Sequence, residues 1–111
     1  MNDLTRETLI GTRNLLTTEG WIQGLSHTAK GFCISGACHE ASRPSTGQYN
    51  RAMVALHGSL PTSYRDGGWL LPPEEVESDP GACAGAVIGY NDTAGRTEEE
   101  ILDIIDRALE K

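Results

Sequence analysis

The last fifteen residues constrain the fold most. Thr97 is followed at the third position by Glu100, which is the pattern of a capping box: a hydroxyl that closes the first turn and a carboxylate that reaches back. Ile101, Ile104, Ile105 and Ala108 then recur at helical spacing and form one apolar stripe. Glu98, Glu99 and Glu100 place negative charge at the helix start, where the macrodipole favours it. Such a helix is stable only against a partner surface, so the rest of the chain must supply one.

Residues 3–19 supply one face. Leu9, Thr12 and Leu16 share a side, with Leu15 beside them, and Asn2 or Asp3 can cap the start. Gly20 serves as a helix stop, with Trp21 placed to fold back on the last turn. Residues 21–31 read as irregular. Residues 32–43 (FCISGACHEASR) read as a second helix, closely packed through Gly36, Ala37 and Ala41 and stopped by Pro44. A third spans 47–57, capped by Ser45 or Thr46, with Tyr49, Ala52, Met53 and Leu56 as its stripe. Gly58 ends it.

Residues 59–85 hold four of the five prolines and read as one long loop, with Trp69, Leu70 and Leu71 as an anchor for the core or for a partner. Residues 86–90 (AVIGY) read as a short buried strand or as the lead-in to the last helix, and Asn91-Asp92 with Gly95 as a turn. The expected fold is mainly α: a single domain over residues 1–111 with about four helices, a long irregular loop at 59–85, and at most one short strand. A chain of 111 residues has room for one core, and 5% aromatic content makes that core lean.

Charge narrows function. Residues 1–73 carry five acidic and six basic side chains, and residues 74–111 carry eleven and three, which gives the net −7. That balance argues against a phosphate-backbone binder, which needs clustered Lys and Arg, and against an anionic membrane surface. It permits a basic partner or a local anion site. No apolar run approaches the roughly 18 residues that span a bilayer. With no secretory pattern at the start, a cytoplasmic setting is expected. Three cysteines, an odd number, read as reduced thiols rather than a disulfide framework.

Three motifs recur in a recognisable order: Gly20-Trp21-Ile22-Gln23-Gly24, then Cys33-Ile34-Ser35-Gly36-Ala37, then Tyr90-Asn91-Asp92 with Arg96-Thr97 opening the last helix. In this combination the chain resembles a family of small uncharacterised proteins common in actinobacteria and their phages. The likeness covers most of the chain except residues 42–86. Tyr90 stands where that family usually has Trp, and Cys38 where an aliphatic residue is usual. The resemblance implies a shared scaffold and a phage or prophage origin, and no chemistry.

Candidate chemistry is sparse. Cys33, His57 and Asn91 or Asp92 occur in the order of papain-like thiol enzymes, and Gln23 precedes Cys33 as an oxyanion-stabilising glutamine would. The plainer reading is favoured: a small core cysteine, a histidine closing a helix, and a turn pair. Cys33, Cys38, His39, His57 and Cys83 could furnish metal ligands, but the Cys33–Cys38 spacing is too long for the usual zinc pair and Cys83 stands alone. No metal and no cofactor are therefore expected. Trp21 and Gln23 read as packing and backbone-bonding residues in preference to a ligand-lining turn. Asp92 and Arg96 read as a pair fixing the entry to the last helix. The leading expectation is a non-enzymatic accessory protein that binds a host or phage protein, with Trp69, Leu70 and Leu71 as its anchor and an undetermined oligomeric state. The alternative is a cysteine-dependent hydrolase or transferase using Cys33 and His57.

Overall fold

The computed structural model describes residues 1–43, 45–61 and 79–110. The protein is mainly α: these residues form five helices and one two-stranded hairpin. Helix α1 spans Asp3–Glu19, α2 Ile34–Ser42, α3 Thr46–His57, α4 Pro80–Asp92 and α5 Glu98–Glu110. Strands β1 (His27–Thr28) and β2 (Gly31–Phe32) pair antiparallel between α1 and α2.

The helix starts follow local chemistry. Asn2 Oδ1 accepts the Thr5 N–H at 2.8 Å, Ser45 Oγ that of Gln48 at 3.2 Å, and Asp79 Oδ1 that of Ala82 at 3.0 Å. Each satisfies an amide that the helix itself leaves without a carbonyl. At α5 the reciprocal box forms: the Glu100 N–H donates to Thr97 Oγ1, and the Thr97 N–H donates to Glu100 Oε1 at 3.1 Å.

Leu9 and Leu16 of α1 meet Ile34 of α2, Met53 and Leu56 of α3, Val87 of α4, and Ile101, Ile104 and Ile105 of α5 in one core. Helices α1 and α2 approach closely, because a Cβ at Gly11 would stand only 3.1 Å from the Ala41 Cβ. Polar groups in that seam are satisfied within it. Thr8 and Thr12, both buried, donate their hydroxyls to the carbonyls of Leu4 and Thr8. Cys38 Sγ lies 3.2 Å from Thr12 Oγ1, and its burial pushes the thiol up to about 12.

Two expectations are corrected. Residues 86–90 are neither a strand nor a lead-in to α5; they lie inside α4, which begins at Pro80 and so also shortens the expected 59–85 loop. Pro80 and Gly81 stand in the first turn, where proline costs no hydrogen bond. A hairpin over residues 27–32 interrupts the expected irregular run 21–31 and takes Phe32 from the expected second helix, which begins at Ile34. Trp69, Leu70 and Leu71 lie outside the described residues.

Candidate functional site

The motif residues converge where the end of α1, the hairpin, the start of α2 and the end of α4 meet. Asn91, fully buried in the last turn of α4, is the hub. Its Oδ1 accepts from Trp21 Nε1 at 2.7 Å and from the Ile34 N–H at 3.1 Å. Its Nδ2 donates to Ile22 O at 3.2 Å and to Asp92 Oδ1 at 2.9 Å. All four hydrogen-bonding positions of the amide are therefore used. Asp92 Oδ1 also accepts the Gly24 N–H at 2.9 Å. Gln23 Nε2 donates to the carbonyls of Asn91 and Thr93, both at 2.9 Å, and so satisfies acceptors that α4 leaves open at its end.

The same logic closes α2. Cys33 is its N-cap: Sγ accepts the Gly36 N–H at 3.3 Å, while the Cys33 N–H donates to Ser26 O. Gly36 is demanded by that approach, because a Cβ there would lie 2.0 Å from Ser26 O. Gly20, at φ 103°, and Gly31 are demanded together: Phe32 N–H bonds Gly20 O, and a Cβ at Gly31 would lie 2.3 Å from that oxygen. Each motif is thus half of a joint whose other half is distant in sequence.

His57 is elsewhere. It closes α3 and is buried, and Gly58 beside it borders a depression shared with Asn2 and Thr5 at the start of α1. Cys33 lies by the hairpin that follows the end of α1, a helix of 17 residues and so about 25 Å long. Among the described residues, Cys33 Sγ receives the Gly36 amide and makes no hydrogen bond to an imidazole nitrogen. Asp92 and Arg96 do not pair. Arg96 Nε donates to Tyr90 O at 2.9 Å, its guanidinium carbon sits 3.6 Å over the Tyr90 ring, and Nη1 meets Glu100 Oε2 at 2.7 Å. The carbonyl and carboxylate at the end of α4 and start of α5 outcompete Asp92, which the Gly24 and Asn91 amides already occupy.

A second grouping escaped the sequence reading. Ser35 Oγ and Tyr49 Oη share a hydrogen bond of 2.7 Å across the α2–α3 contact, and the His39 ring tilts against Tyr49 at 5.5 Å. Burial pushes the Tyr49 phenol up, and the Ser35 hydrogen bond opposes that rise. The spacing of Ser35 and His39, four apart on one helix face, was the available signal. Tyr49 was concealed in an apolar stripe. His39 and Tyr49 line a depression of about 460 Å³ with Arg43 and Asn50.

Among the described residues, no three His, Cys, Asp or Glu side chains gather to hold a metal ion. No helix among them is long and apolar enough to cross a membrane. No curated protein and no solved structure matches the chain. A family model does match, over residues 1–111. The chain belongs to that family, a family of unknown function (DUF6197).

Proposed function

We propose that this chain is a single-domain, non-enzymatic interaction module of phage or prophage type that acts on a host or phage protein in the cytoplasm. One observation carries the reading. The polar side chains that form the recurring motifs, Gln23, Cys33, Asn91 and Asp92, direct their hydrogen bonds at the chain's own backbone and at each other. Groups that do chemistry keep a donor or acceptor aimed at a substrate. The resemblance to small actinobacterial and phage proteins supports the phage setting, and the acidic last third supports a protein partner over a nucleic acid. Trp69, Leu70 and Leu71 are the proposed anchor, because tryptophan is among the side chains that most often carry binding energy.

Cys33→Ser separates this reading from a thiol enzyme. Serine is a better helix cap than cysteine, so the variant should keep the thermal transition within about 1 kcal/mol of wild type or raise it. It should also retain any partner captured by cross-linking in the native host, whereas Trp69→Ala should lose that partner. Rapid alkylation of native Cys33 by iodoacetamide at about pH 6–7, where an ordinary thiol is protonated, would instead favour the hydrolase or transferase using Cys33 and His57.

A further inference from the structure

The outward side of α3 borders three neighbouring depressions that share lining residues. The first, of about 460 Å³, lies at the helix start and shares Asn50 with a second of about 340 Å³. The second shares Arg51 and Val54 with a third, of about 390 Å³, at the helix end. Asn50, Arg51, Val54 and Gly58 fall on one side of the helix by their spacing. The three depressions form a trough along a helix of 12 residues, roughly 18 Å long.

The electrostatics of this trough depart from those of the chain. The net charge is −7, yet among the described residues no Asp or Glu lines any of the three depressions, and Arg43 and Arg51 do. Arg51 is exposed and forms no ion pair among the described residues. Arg43 meets Glu40 at 3.1 Å, but both side chains are about half exposed or more, so water competes for the pair and a second carboxylate can share the guanidinium. Tyr49 and Asn50 stand between the two arginines, and Val54 and Ala55 continue the wall past Arg51 toward the helix end, where they suit apolar side chains.

We infer that this trough is the docking site for a short acidic segment of a partner protein, laid along α3 with carboxylates on Arg43 and Arg51 and apolar side chains against Tyr49 and, past Arg51, against Val54 and Ala55. The inference rests on the interaction reading above and names the partner's chemistry. A length of roughly 18 Å takes about five or six extended residues. Two guanidiniums with an apolar floor match that ligand better than a nucleic acid, whose affinity comes from many phosphate contacts.

The test is selection of 12-residue peptides from a displayed random library against the intact chain. The selected peptides are then titrated by fluorescence polarisation. They should be net negative with interspersed apolar residues. Arg51→Glu and Arg43→Glu should each weaken them at least tenfold, with backbone amide shifts confined to α3 and its rims. Neutral or basic winners, binding indifferent to Arg51→Glu, or no winners at all would overturn the inference. So would peptides that bind only after residues 62–78 are replaced by a Gly-Ser linker, which would assign the trough to the chain's own segment. Concentration-dependent dimers abolished by Arg51→Glu would assign it to a second copy. A native partner that is captured equally by Arg51→Glu leaves the interaction reading standing and sinks only the trough.

Discussion

Helices α4 and α5 are both 13 residues long and adjacent in sequence, yet they are held by different means. Helix α5 is held by its face. Ile101, Ile104, Ile105 and Ala108 enter the core while the charged side stays in water. Helix α4 also buries one face, but small and apolar residues rather than charges make up most of the other. Cys83, Ala84, Ala86, Val87 and Tyr90 are buried, while Gly81, Gly85 and Ile88 face out. Beyond that face it is fixed at its end, where Asn91 and Asp92 bond the segment leading into the hairpin and the start of α2. An amphipathic face tells a helix which side to bury. A buried amide with four partners tells it where to stop and what to touch.

This contrast makes Asn91→Ala the most damaging single change. It strands the buried Ile34 N–H, at a cost on the order of 1–3 kcal/mol, and takes the partner from the part-buried Trp21 Nε1–H and Ile22 carbonyl, which add smaller amounts. A total loss of about 4 kcal/mol is expected, read from urea unfolding. The damage should be non-local: Trp21 fluorescence should change, and the first-turn amides of α2 should exchange faster with deuterium. Asn91→Asp sharpens the point. It keeps the acceptor for Trp21 and Ile34 but turns an oxygen toward Ile22 O and Asp92 Oδ1, so near-identical shape should not rescue stability.

Ile104→Ala should cost somewhat less, about 3 kcal/mol, as the transfer and cavity cost of a fully buried isoleucine in the core. It should leave the native Trp21 signal unchanged, since no hydrogen bond of the joint involves α5. Equal fluorescence changes in the two variants would dissolve the distinction between a helix held by its face and one held by its end.

The same distinction explains what could be read in the sequence. Helices α1, α3 and α5 announce themselves through stripes and caps whose partners lie within a turn, and their observed limits differ by at most a residue or so from the expected ones. Helix α4 was hidden because small side chains on every side carry no period, and because Pro80, Gly81 and Gly85 resemble loop punctuation. The hairpin was hidden because two-residue strands carry almost no pattern. The motifs were visible as motifs. Their pairing was not, because Gln23 and Asn91 are separated by 68 positions and nothing local specifies so distant a partner.

The smallest expected effect lies where the two helices join. Arg96 links them, with Nε on the Tyr90 carbonyl of α4 and Nη1 on Glu100 of α5. The Arg96 hydrogen bond, followed by the Thr97 backbone amide, holds the Glu100 carboxyl below its ordinary 4.5. A carboxyl lowered in the folded state favours folding while it is ionised. Its contribution is therefore complete above the unfolded value, and it is lost as pH falls through the lower folded value. Glu100→Gln should reduce the urea midpoint slightly at pH 7. The gap to wild type should close on acidification below 4.5. The other carboxylates are common to both proteins and cancel in the difference. A gap that stays constant with pH would mean that Glu100 acts only as a neutral cap, leaving α5 held by its isoleucines with no ionic tie to the end of α4.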